Sequence, residues 1–254
     1  MKKNMQINSP KVAFISGAAR RIGAEIARTL HAAGLSIVLH YHRSKNDAEA
    51  LVASLNQIRE NSAIAIGADL ANTENANAVI QKAQQIWGRL DVLVNNASRF
   101  YKTPIGKVTD TEWEDIINGN LKPAFFLSQA AAPFLTNTQG VIINLADIHA
   151  ERPMREYSVY CIAKAGIVML TKTLARELGP AVRVNAIAPG TVALPEGENA
   201  LTDVQKQKIT DCTALKRFGD MSDVAKAVLF LVNDGGYITG QVLTVDGGRS
   251  LFIP

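Results

Sequence analysis

One stretch near the start of the chain decides the fold, and it reads Lys11-Val12-Ala13-Phe14-Ile15-Ser16-Gly17-Ala18-Ala19-Arg20-Arg21-Ile22-Gly23. Its apolar first half is typical of a buried strand, and the residues after the turn have the spacing of a helix. Gly17 allows a tight turn, Gly23 allows the helix to pack closely on the strand, and the helix start offers free N–H groups to a pyrophosphate. We therefore predict a dinucleotide-binding turn, with cofactor contacts from Gly17, Arg21 and Ile22, in preference to an ordinary glycine turn.

Short apolar runs alternate with longer helical patterns from this stretch to the end of the chain. Further strands are predicted at about 35–40, 63–66, 90–94, 141–145, 182–187 and 241–245. Runs this apolar indicate strands buried on both faces, as in a parallel sheet. Alternation of strands and helices with right-handed crossovers gives a doubly wound sheet. We therefore predict an α/β protein of the Rossmann type, with a seven-stranded parallel sheet and helices on both of its faces.

Composition and organisation narrow the classes of protein that fit. The chain has 254 residues and a formal net charge of +4. It contains no linker, repeat or low-complexity tract, so we expect one domain over residues 1–254, with a substrate flap at about 190–211. The mild charge, without a Lys/Arg block, argues against a nucleic-acid partner. We expect no membrane partner and a cytoplasmic protein, because no apolar run is long enough for a membrane span and no apolar region follows the basic start.

The end of the second predicted strand indicates which nicotinamide cofactor fits. An NAD site usually has an acidic residue there, which holds the ribose hydroxyls. This chain instead reads His40-Tyr41-His42-Arg43-Ser44, and no carboxylate appears before Asp47. Arg43, His42 and the Ser44 hydroxyl can bind a 2′-phosphate, which a carboxylate would repel. We therefore expect NADPH/NADP+, with His40 also at the site; the alternative is a solvated basic turn.

Two more strand ends are predicted to contact the cofactor. Asp69 and Leu70 follow the third strand, where the carboxylate can accept a hydrogen bond from the adenine amino group. Asn96 and Ala97 follow the fourth strand, where a small, polar strand end lets the backbone lie against the cofactor riboses. Arg21 stands where many such turns have another glycine, and its guanidinium can reach the pyrophosphate or an anionic substrate edge.

Tyr160 and Lys164 are four residues apart in the longest predicted helix, so they lie on the same face. The lysine cation favours the phenolate, so we expect it to lower the pKa of Tyr160. Such a phenol can give a proton to a substrate that is being reduced. Tyr157 is the weaker candidate, because Cys161 rather than a lysine follows it at the same spacing. A pair of this kind is common on helices, but its place after the fifth strand favours a catalytic role.

The chain resembles the short-chain dehydrogenase/reductase family over essentially its whole length. The matching motifs are Gly17 to Gly23, Asn95-Asn96-Ala97, Asn120, Tyr160 with Lys164, Pro189-Gly190, Thr239-Gly240 and Val245-Asp246-Gly247-Gly248. The resemblance implies that Lys164 also binds the nicotinamide ribose and that Asn120 helps to hold a water in a proton relay. It implies further that Pro189 and Gly190 lie near the nicotinamide carboxamide, and that the protein is a dimer or, as we expect, a homotetramer.

Asp147 departs from the family pattern, which usually has a serine at this position, thirteen residues before the tyrosine. An ionised carboxylate has no donor for a substrate carbonyl oxygen, and its charge raises the pKa of a neighbouring tyrosine. Either Asp147 is protonated, or it has another task, such as serving a ring nitrogen or holding an amine edge. In this feature the chain resembles the pteridine reductases, as it does in the arginine-containing turn and in the segments 40–44, 96–101, 237–240 and 246–248.

This second resemblance implies roles at the substrate. Phe100 stacks on a flat pterin ring, Ser98 hydrogen-bonds the pterin and a cofactor phosphate, and Arg21 orients the pterin. NADPH reduces a ring carbon while Tyr160 and Asp147 protonate a ring nitrogen, so the expected substrate is a small-molecule dihydropterin and the product a tetrahydropterin.

Other interpretations stay open at this point. Phe100 can simply pack its loop against the helix below, and Asp147 can be a polar replacement in an enzyme for another carbonyl. The runner-up function is a generic NADPH-dependent carbonyl or 3-oxoacyl-thioester reductase, against which Asp147 argues. A catalytically silent dinucleotide sensor is the third, against which the intact Tyr160 and Lys164 argue.

Overall fold

A computed structural model describes residues 10–192 and 201–252. Seven strands lie within these ranges: β1 (Val12–Ile15), β2 (Ser36–Tyr41), β3 (Ala63–Gly67), β4 (Val92–Asn95), β5 (Val141–Leu145), β6 (Arg183–Pro189) and β7 (Val242–Val245). They form one sheet in the order β3-β2-β1-β4-β5-β6-β7, and every neighbouring pair is parallel. The predicted α/β architecture with a seven-stranded parallel sheet is confirmed.

Helices cover both faces of this sheet. Those in the described ranges are α1 (Arg21–Ala32), α2 (Lys45–Ile58), α3 (Thr73–Trp87), α4 (Asp110–Thr138), α5 (Ser158–Leu178), α6 (Asp203–Asp211) and α7 (Met221–Asn233). Successive residues of β1 point to opposite faces. Phe14 packs in a core with α3, α4 and α5, whereas Ala13 and Ile15 pack in a second core with α1, α2 and α7. Burial on both faces explains why the strands are so uniformly apolar.

The segment after β6 is expected from the sequence to form a flap or short helices over the site. The flap predicted at 190–211 contains α6, which begins at a capping box between Thr202 and Gln205 and buries none of its residues. Residues 193–200 of that segment lie outside the described residues. Helix α7 was not predicted as an element, although Val224, Val228 and Leu231 on one of its faces are fully buried.

Helix α5 was predicted to be the longest helix, but its 21 residues make it shorter than α4, which has 29. Its 21 residues reach a mean hydropathy of 1.3 over an 18-residue window, enough by length and composition alone for a membrane span. In the structure it packs against α4 and β6, and half of that window is buried. An apolar composition of this kind is therefore also that of a helix in a protein core. The same helix places Tyr160 and Lys164 in the protein interior.

Candidate active site

A cavity of about 710 Å³ lies where β1, β4, β5 and β6 end. In an open parallel sheet this is the place where strand order reverses and a crevice forms at the carboxyl ends of the strands. The predicted site residues that line the cavity are Gly17, Arg21, Ile22, His40, His42, Asp69, Leu70, Asn96, Ala97, Ser98, Phe100, Asp147, Tyr160, Lys164, Pro189 and Gly190. The remaining three, Arg43, Ser44 and Asn120, are not among the lining residues.

The glycine turn at the start of α1 has the shape that a dinucleotide needs. Gly17 has a φ of +62°, and a Cβ there would lie 2.9 Å from Cα of Ala97. Asn96 ties the turn to the end of β4, because its Nδ2 donates 2.9 Å hydrogen bonds to the carbonyls of Ser16 and Gly17. A Cβ at Gly23 would lie 2.5 Å from that same nitrogen. The two halves of the sheet are thus joined tightly beneath the cavity, and a phosphate can approach the backbone.

Arg21 occupies a left-handed backbone position, with a φ of +54°. Only glycine adopts this region freely, and other residues lose about 1–2 kcal/mol there. This explains why a glycine suits the position in a turn of this kind. From this position the Arg21 side chain lines the cavity.

His40 braces the glycine turn from β2. Its Nδ1 accepts a 3.2 Å hydrogen bond from the Gly17 amide, so its Nε2 carries the proton and donates to the carbonyl of Ala68 at 3.1 Å. Burial lowers the pKa of His40 to about 4. A neutral ring with both nitrogens bonded to backbone adds no positive charge for a phosphate. His40 therefore supports the cofactor end through the shape of the turn.

Two contacts between a basic and an acidic side chain lie around the end of β2. Arg20 binds Asp47 at 2.6 Å, so the first carboxylate after the strand is already matched by a cation. His42 lies 3.9 Å from Asp69. The Arg43 side chain is exposed beside them. This edge of the cavity therefore offers basic groups without an unmatched carboxylate from Asp47.

The catalytic end is built around a direct bond between Tyr160 and Asp147. The phenolic hydroxyl donates to Oδ2 of Asp147 at 2.7 Å. Oδ1 of the same carboxylate accepts a 2.9 Å hydrogen bond from the backbone amide of His149, which lies within a short 3₁₀ turn after β5. Both carboxylate oxygens are held, so the side chain faces the tyrosine in a defined orientation.

The electrostatics of Tyr160 overturn one expectation. Burial, followed by the charge of Asp147 and the hydrogen bond to it, raises the pKa of Tyr160 well above its ordinary value, while the Ser98 hydroxyl acts in the opposite direction. The prediction that Lys164 leaves the tyrosine with a lowered pKa is therefore wrong. The predicted effect of an ionised Asp147, which raises the pKa of Tyr160, has the observed direction.

Lys164 lies in the interior beneath the tyrosine. It is only 3% exposed, and its Nζ donates a 2.8 Å hydrogen bond to the carbonyl of Leu145 at the end of β5. The ammonium is 5.6 Å from the centre of the Tyr160 ring. Burial lowers the pKa of Lys164 to about 8, and the charge of Asp147 acts against this shift. The pair predicted from the spacing thus lies together in the cavity, and the lysine keeps its positive charge below about pH 8.

Ser98 and Asn120 form a hydrogen-bonded support beside the pair. Ser98 Oγ donates to Oδ1 of Asn120 at 2.7 Å, and Nδ2 of Asn120 donates to the carbonyls of Arg99 and Ile116. Asn120 is 3% exposed, so its amide acts on the cavity through Ser98 and the backbone.

The Phe100 ring packs against the rings of Tyr157 and Tyr160. It is stacked on Tyr157, with centroids 4.6 Å apart, and meets Tyr160 edge-on at 4.9 Å. It remains 37% exposed and lines the cavity, so it is available to a substrate ring while also packing its loop. Tyr157, the weaker catalytic candidate in the sequence, therefore has a stacking position in the structure.

The loop that carries Phe100 is fastened to the start of α5. Thr103 is fully buried, and its amide donates to the carbonyl of Glu156 at 2.6 Å. Its carbonyl accepts from the Ser158 hydroxyl at 2.8 Å, and its hydroxyl accepts from the Val159 amide at 3.2 Å. These bonds place the aromatic ring and the catalytic helix in one arrangement.

Arg249 is a cavity residue that the sequence reasoning missed. It follows the Asp246-Gly247-Gly248 motif, which was noted, and begins a 3₁₀ turn after β7. It lines the same cavity as Asp147 and Tyr160. The sequence does contain a signal for Arg249. It is a cation directly after the glycine pair that follows the last strand, and this strand also ends at the cavity edge of the sheet.

Comparisons with other proteins agree with this geometry. The family model described as enoyl-(acyl carrier protein) reductase matches residues 17–250. Pteridine reductase 1 of Leishmania tarentolae is 35% identical, over 94% of this chain and 96% of its own length. The 3-oxoacyl-(acyl-carrier-protein) reductase FabG of Staphylococcus epidermidis is 37% identical, over 94% and 98% of the two chains. The FabG protein of Staphylococcus aureus strain Mu50 is also 37% identical, over 94% and 97%.

The family model and these relatives span nearly the whole chain, and the glycine turn, Tyr160 and Lys164 share one cavity. The chain therefore belongs to the short-chain dehydrogenase/reductase family of NAD(P)-dependent oxidoreductases.

Proposed function

We propose that this enzyme reduces a dihydropterin to a tetrahydropterin with NADPH. The observation that carries the proposal is the 2.7 Å hydrogen bond from Tyr160 to Asp147. Similar proteins include both a pteridine reductase and 3-oxoacyl-thioester reductases at comparable identity, so the substrate is inferred from the site. A carboxyl group beside the phenol suits protonation of a nitrogen better than it suits binding of a carbonyl oxygen, because a carboxylate offers that oxygen no donor.

When bound, NADPH supplies a hydride to a ring carbon of the substrate. The neighbouring ring nitrogen takes a proton from the Tyr160 hydroxyl. Because burial and Asp147 raise the pKa of Tyr160, a free phenolate is an unfavourable product of this transfer. A proton that solvent delivers to the Asp147 carboxylate, and that this group passes on to the phenolic oxygen, restores the neutral tyrosine. Asp147 is then again the carboxylate that accepts the Tyr160 hydrogen bond.

The remaining cavity residues support the substrate. Phe100 offers a partly exposed aromatic ring edge-on to Tyr160, which suits a flat pterin held over the phenol. Ser98 has a hydroxyl within the same cavity. Lys164 adds a buried positive charge beneath the reacting pair, which stabilises negative charge as the hydride arrives.

The preference for NADPH rests on the end of β2. The Arg43 side chain is exposed there, next to His42 and Ser44, and Asp47 is matched by Arg20. A 2′-phosphate would therefore meet cationic and hydroxyl groups without a free carboxylate from Asp47 to repel it.

We also propose that the enzyme is a homotetramer. One set of exposed apolar side chains lies on α4 and α5, with Phe125, Ile162 and Met169 between 42% and 62% exposed. A second set, which includes Phe230 and Phe252, lies on α7 and the C-terminal segment. Two separate apolar faces fit two different two-fold contacts, and these together generate a tetramer.

The function is tested by following NADPH oxidation with dihydrobiopterin, dihydrofolate and acetoacetyl-coenzyme A in parallel. We expect turnover of at least one dihydropterin, with kcat/KM at least about tenfold above that for the thioester, a difference of about 1.4 kcal/mol in the barrier. A preference for acetoacetyl-coenzyme A would establish the 3-oxoacyl-thioester alternative. NADPH binding without oxidation across all substrates would establish the silent sensor.

A further inference from the structure

Arg249 is held in a defined place at the catalytic end of the cavity. The carboxylate of Asp246 accepts hydrogen bonds from the amides of Gly248 at 2.8 Å and Ser250 at 2.7 Å, on either side of the arginine. The guanidinium donates to the hydroxyl of Thr191, the second residue after β6. The backbone is therefore fixed at both ends, and the side chain extends from β7 across the end of β6.

The carboxylates nearest this guanidinium do not pair with it directly. It is half-buried, and burial lowers the pKa of Arg249, while the charges of Asp147 and Asp246 act to raise it. An arginine stays charged under these conditions and has five N–H donors. Thr191 accepts from one of the guanidinium nitrogens, and no carboxylate of the described residues lies within ion-pair distance.

Other arginines of the cavity differ in this respect. Arg20 has an ion pair with Asp47, and Arg99 has one with Asp115. A half-buried cation whose protein partner is a neutral hydroxyl is most stable when a ligand brings the missing anion. Arg249 and Thr191 lie at the β6 side of the reacting pair, so such an anion belongs to a part of the substrate away from the ring that Tyr160 and Asp147 protonate.

We propose that Arg249 is a specificity-determining residue that binds an anionic group, a carboxylate or a phosphate, on the tail of the pterin substrate. The proposal rests on the proposed pterin reductase function. The preferred substrates are then dihydropterins with an acidic tail, and those with an uncharged tail lack this contact.

The test compares dihydropterins that share the ring and differ in the tail: dihydrobiopterin, which is uncharged there, dihydrofolate, which ends in carboxylates, and dihydroneopterin phosphate. Steady-state kinetics are measured for the wild type, Arg249→Met and Arg249→Lys. We expect Arg249→Met to raise KM about tenfold or more for one or both acidic-tailed substrates, with kcat and the KM for dihydrobiopterin changed less than about twofold. Which of the two is affected distinguishes a carboxylate from a phosphate. Arg249→Lys restores part of the loss.

Arg217→Met is the matched control. Arg217 is exposed, pairs with Asp223 at 3.5 Å and is absent from the lining of the catalytic cavity, so its loss should alter none of these constants. If Arg249→Met lowers kcat equally for all three tails, the arginine acts through Asp147 and the proposal is overturned. It is also overturned if the variant changes only the KM for NADPH.

A binding measurement separates this proposal from the function on which it rests. If the wild type turns over no dihydropterin, the proposed function has failed, and calorimetry with para-aminobenzoylglutamate and inorganic phosphate, added to the enzyme saturated with NADP+, then tests Arg249 alone. Binding of either probe to the wild type and its loss in Arg249→Met support the anion site. Equal binding to both proteins, or binding to neither, excludes it.

Discussion

The Tyr160 hydroxyl and Oδ2 of Asp147 are joined by a 2.7 Å hydrogen bond, in a cavity where burial raises the pKa of the phenol. This bond couples the two groups, so a change in the charge of one alters the proton affinity of the other. The lysine of the family motif lies below them and bonds to backbone at the end of β5. The site is therefore a three-group system of phenol, carboxyl group and ammonium.

Replacement of Asp147 by serine tests the proton route. We expect Asp147→Ser to lower kcat/KM for a dihydropterin about 100-fold, since one general-acid group contributes about 10²–10⁴-fold. The same change removes the charge that raises the pKa of Tyr160, so ultraviolet titration should show the phenol ionising at lower pH. Asp147→Asn is the control that keeps the shape of the side chain but removes the carboxylate that carries a proton. Undiminished pterin reduction in both variants contradicts the role given to Asp147.

The pH dependence should report Lys164. Its pKa is lowered to about 8, so the ammonium that supports catalysis is present below that pH and is lost as pH rises through it. We expect kcat/KM to fall as the pH rises through about 8, with the pH dependence of the loss of a single proton. Because Asp147 raises the pKa of Lys164, the limb should move to lower pH in Asp147→Asn. A limb at the same pH in both proteins would mean that another group titrates.

The backbone strain at Arg21 can be measured with a pair of variants. Arg21→Gly and Arg21→Ala both remove the side chain, but only glycine suits a φ of +54°. We expect the glycine variant to be more stable to urea than the alanine variant by about 1 kcal/mol. Arg28 is the matched site, because it is exposed in the middle of α1. At position 28 the alanine variant should be more stable than the glycine variant by about 1 kcal/mol. If the same residue type were the more stable at both positions, the backbone strain at Arg21 would be refuted.

Cofactor choice should depend on Arg43. We expect Arg43→Ala to raise the KM for NADPH about tenfold, the loss of about 1.4 kcal/mol from one charge-assisted contact. The KM for NADH should stay unchanged, because that cofactor has no 2′-phosphate. Arg176→Ala, an exposed arginine near the end of α5, provides the control. An unchanged ratio of the two constants would remove Arg43 from the phosphate site.

The assembly should depend on the apolar face of α5. Met169 is 62% exposed there, and Met169→Asp should convert the tetramer to a smaller species, as measured by light scattering. A buried unpaired carboxylate at a contact is strongly unfavourable. Ile58→Asp is the control, since Ile58 is 77% exposed at the end of α2, apart from both proposed contact faces. A monomeric wild type would disprove the assembly outright.

The sheet was predictable because strands that are buried on both faces are apolar at nearly every residue. β1, β4 and β5 are buried at every residue, and their apolar runs show it. α7 was overlooked because its pattern follows a long irregular stretch that carries no strand. The boundaries of that stretch depend on how it packs, which local spacing does not record.

The site was predictable where a motif has its function in its own backbone or spacing. The glycine turn and the Tyr160–Lys164 pair are of this kind. The pKa of Tyr160 depends on how deeply the ring is buried, and the role of His40 depends on which atoms surround its nitrogens. Arg249 reaches the cavity from the last strand of the sheet, a distance in sequence that no local pattern spans.

The attachment of Thr103 to the start of α5 fixes one wall of the cavity, which carries the aromatic rings, relative to the proton donor. Phe100, Tyr157 and Tyr160 sit on elements that are hydrogen-bonded to each other, so the aromatic surface and the proton donor move together as one body. The spacing between them is therefore set by the fold. Selection among related molecules therefore falls to the opposite wall, where β6 and β7 end, and evolution can retune it there without disturbing the chemistry.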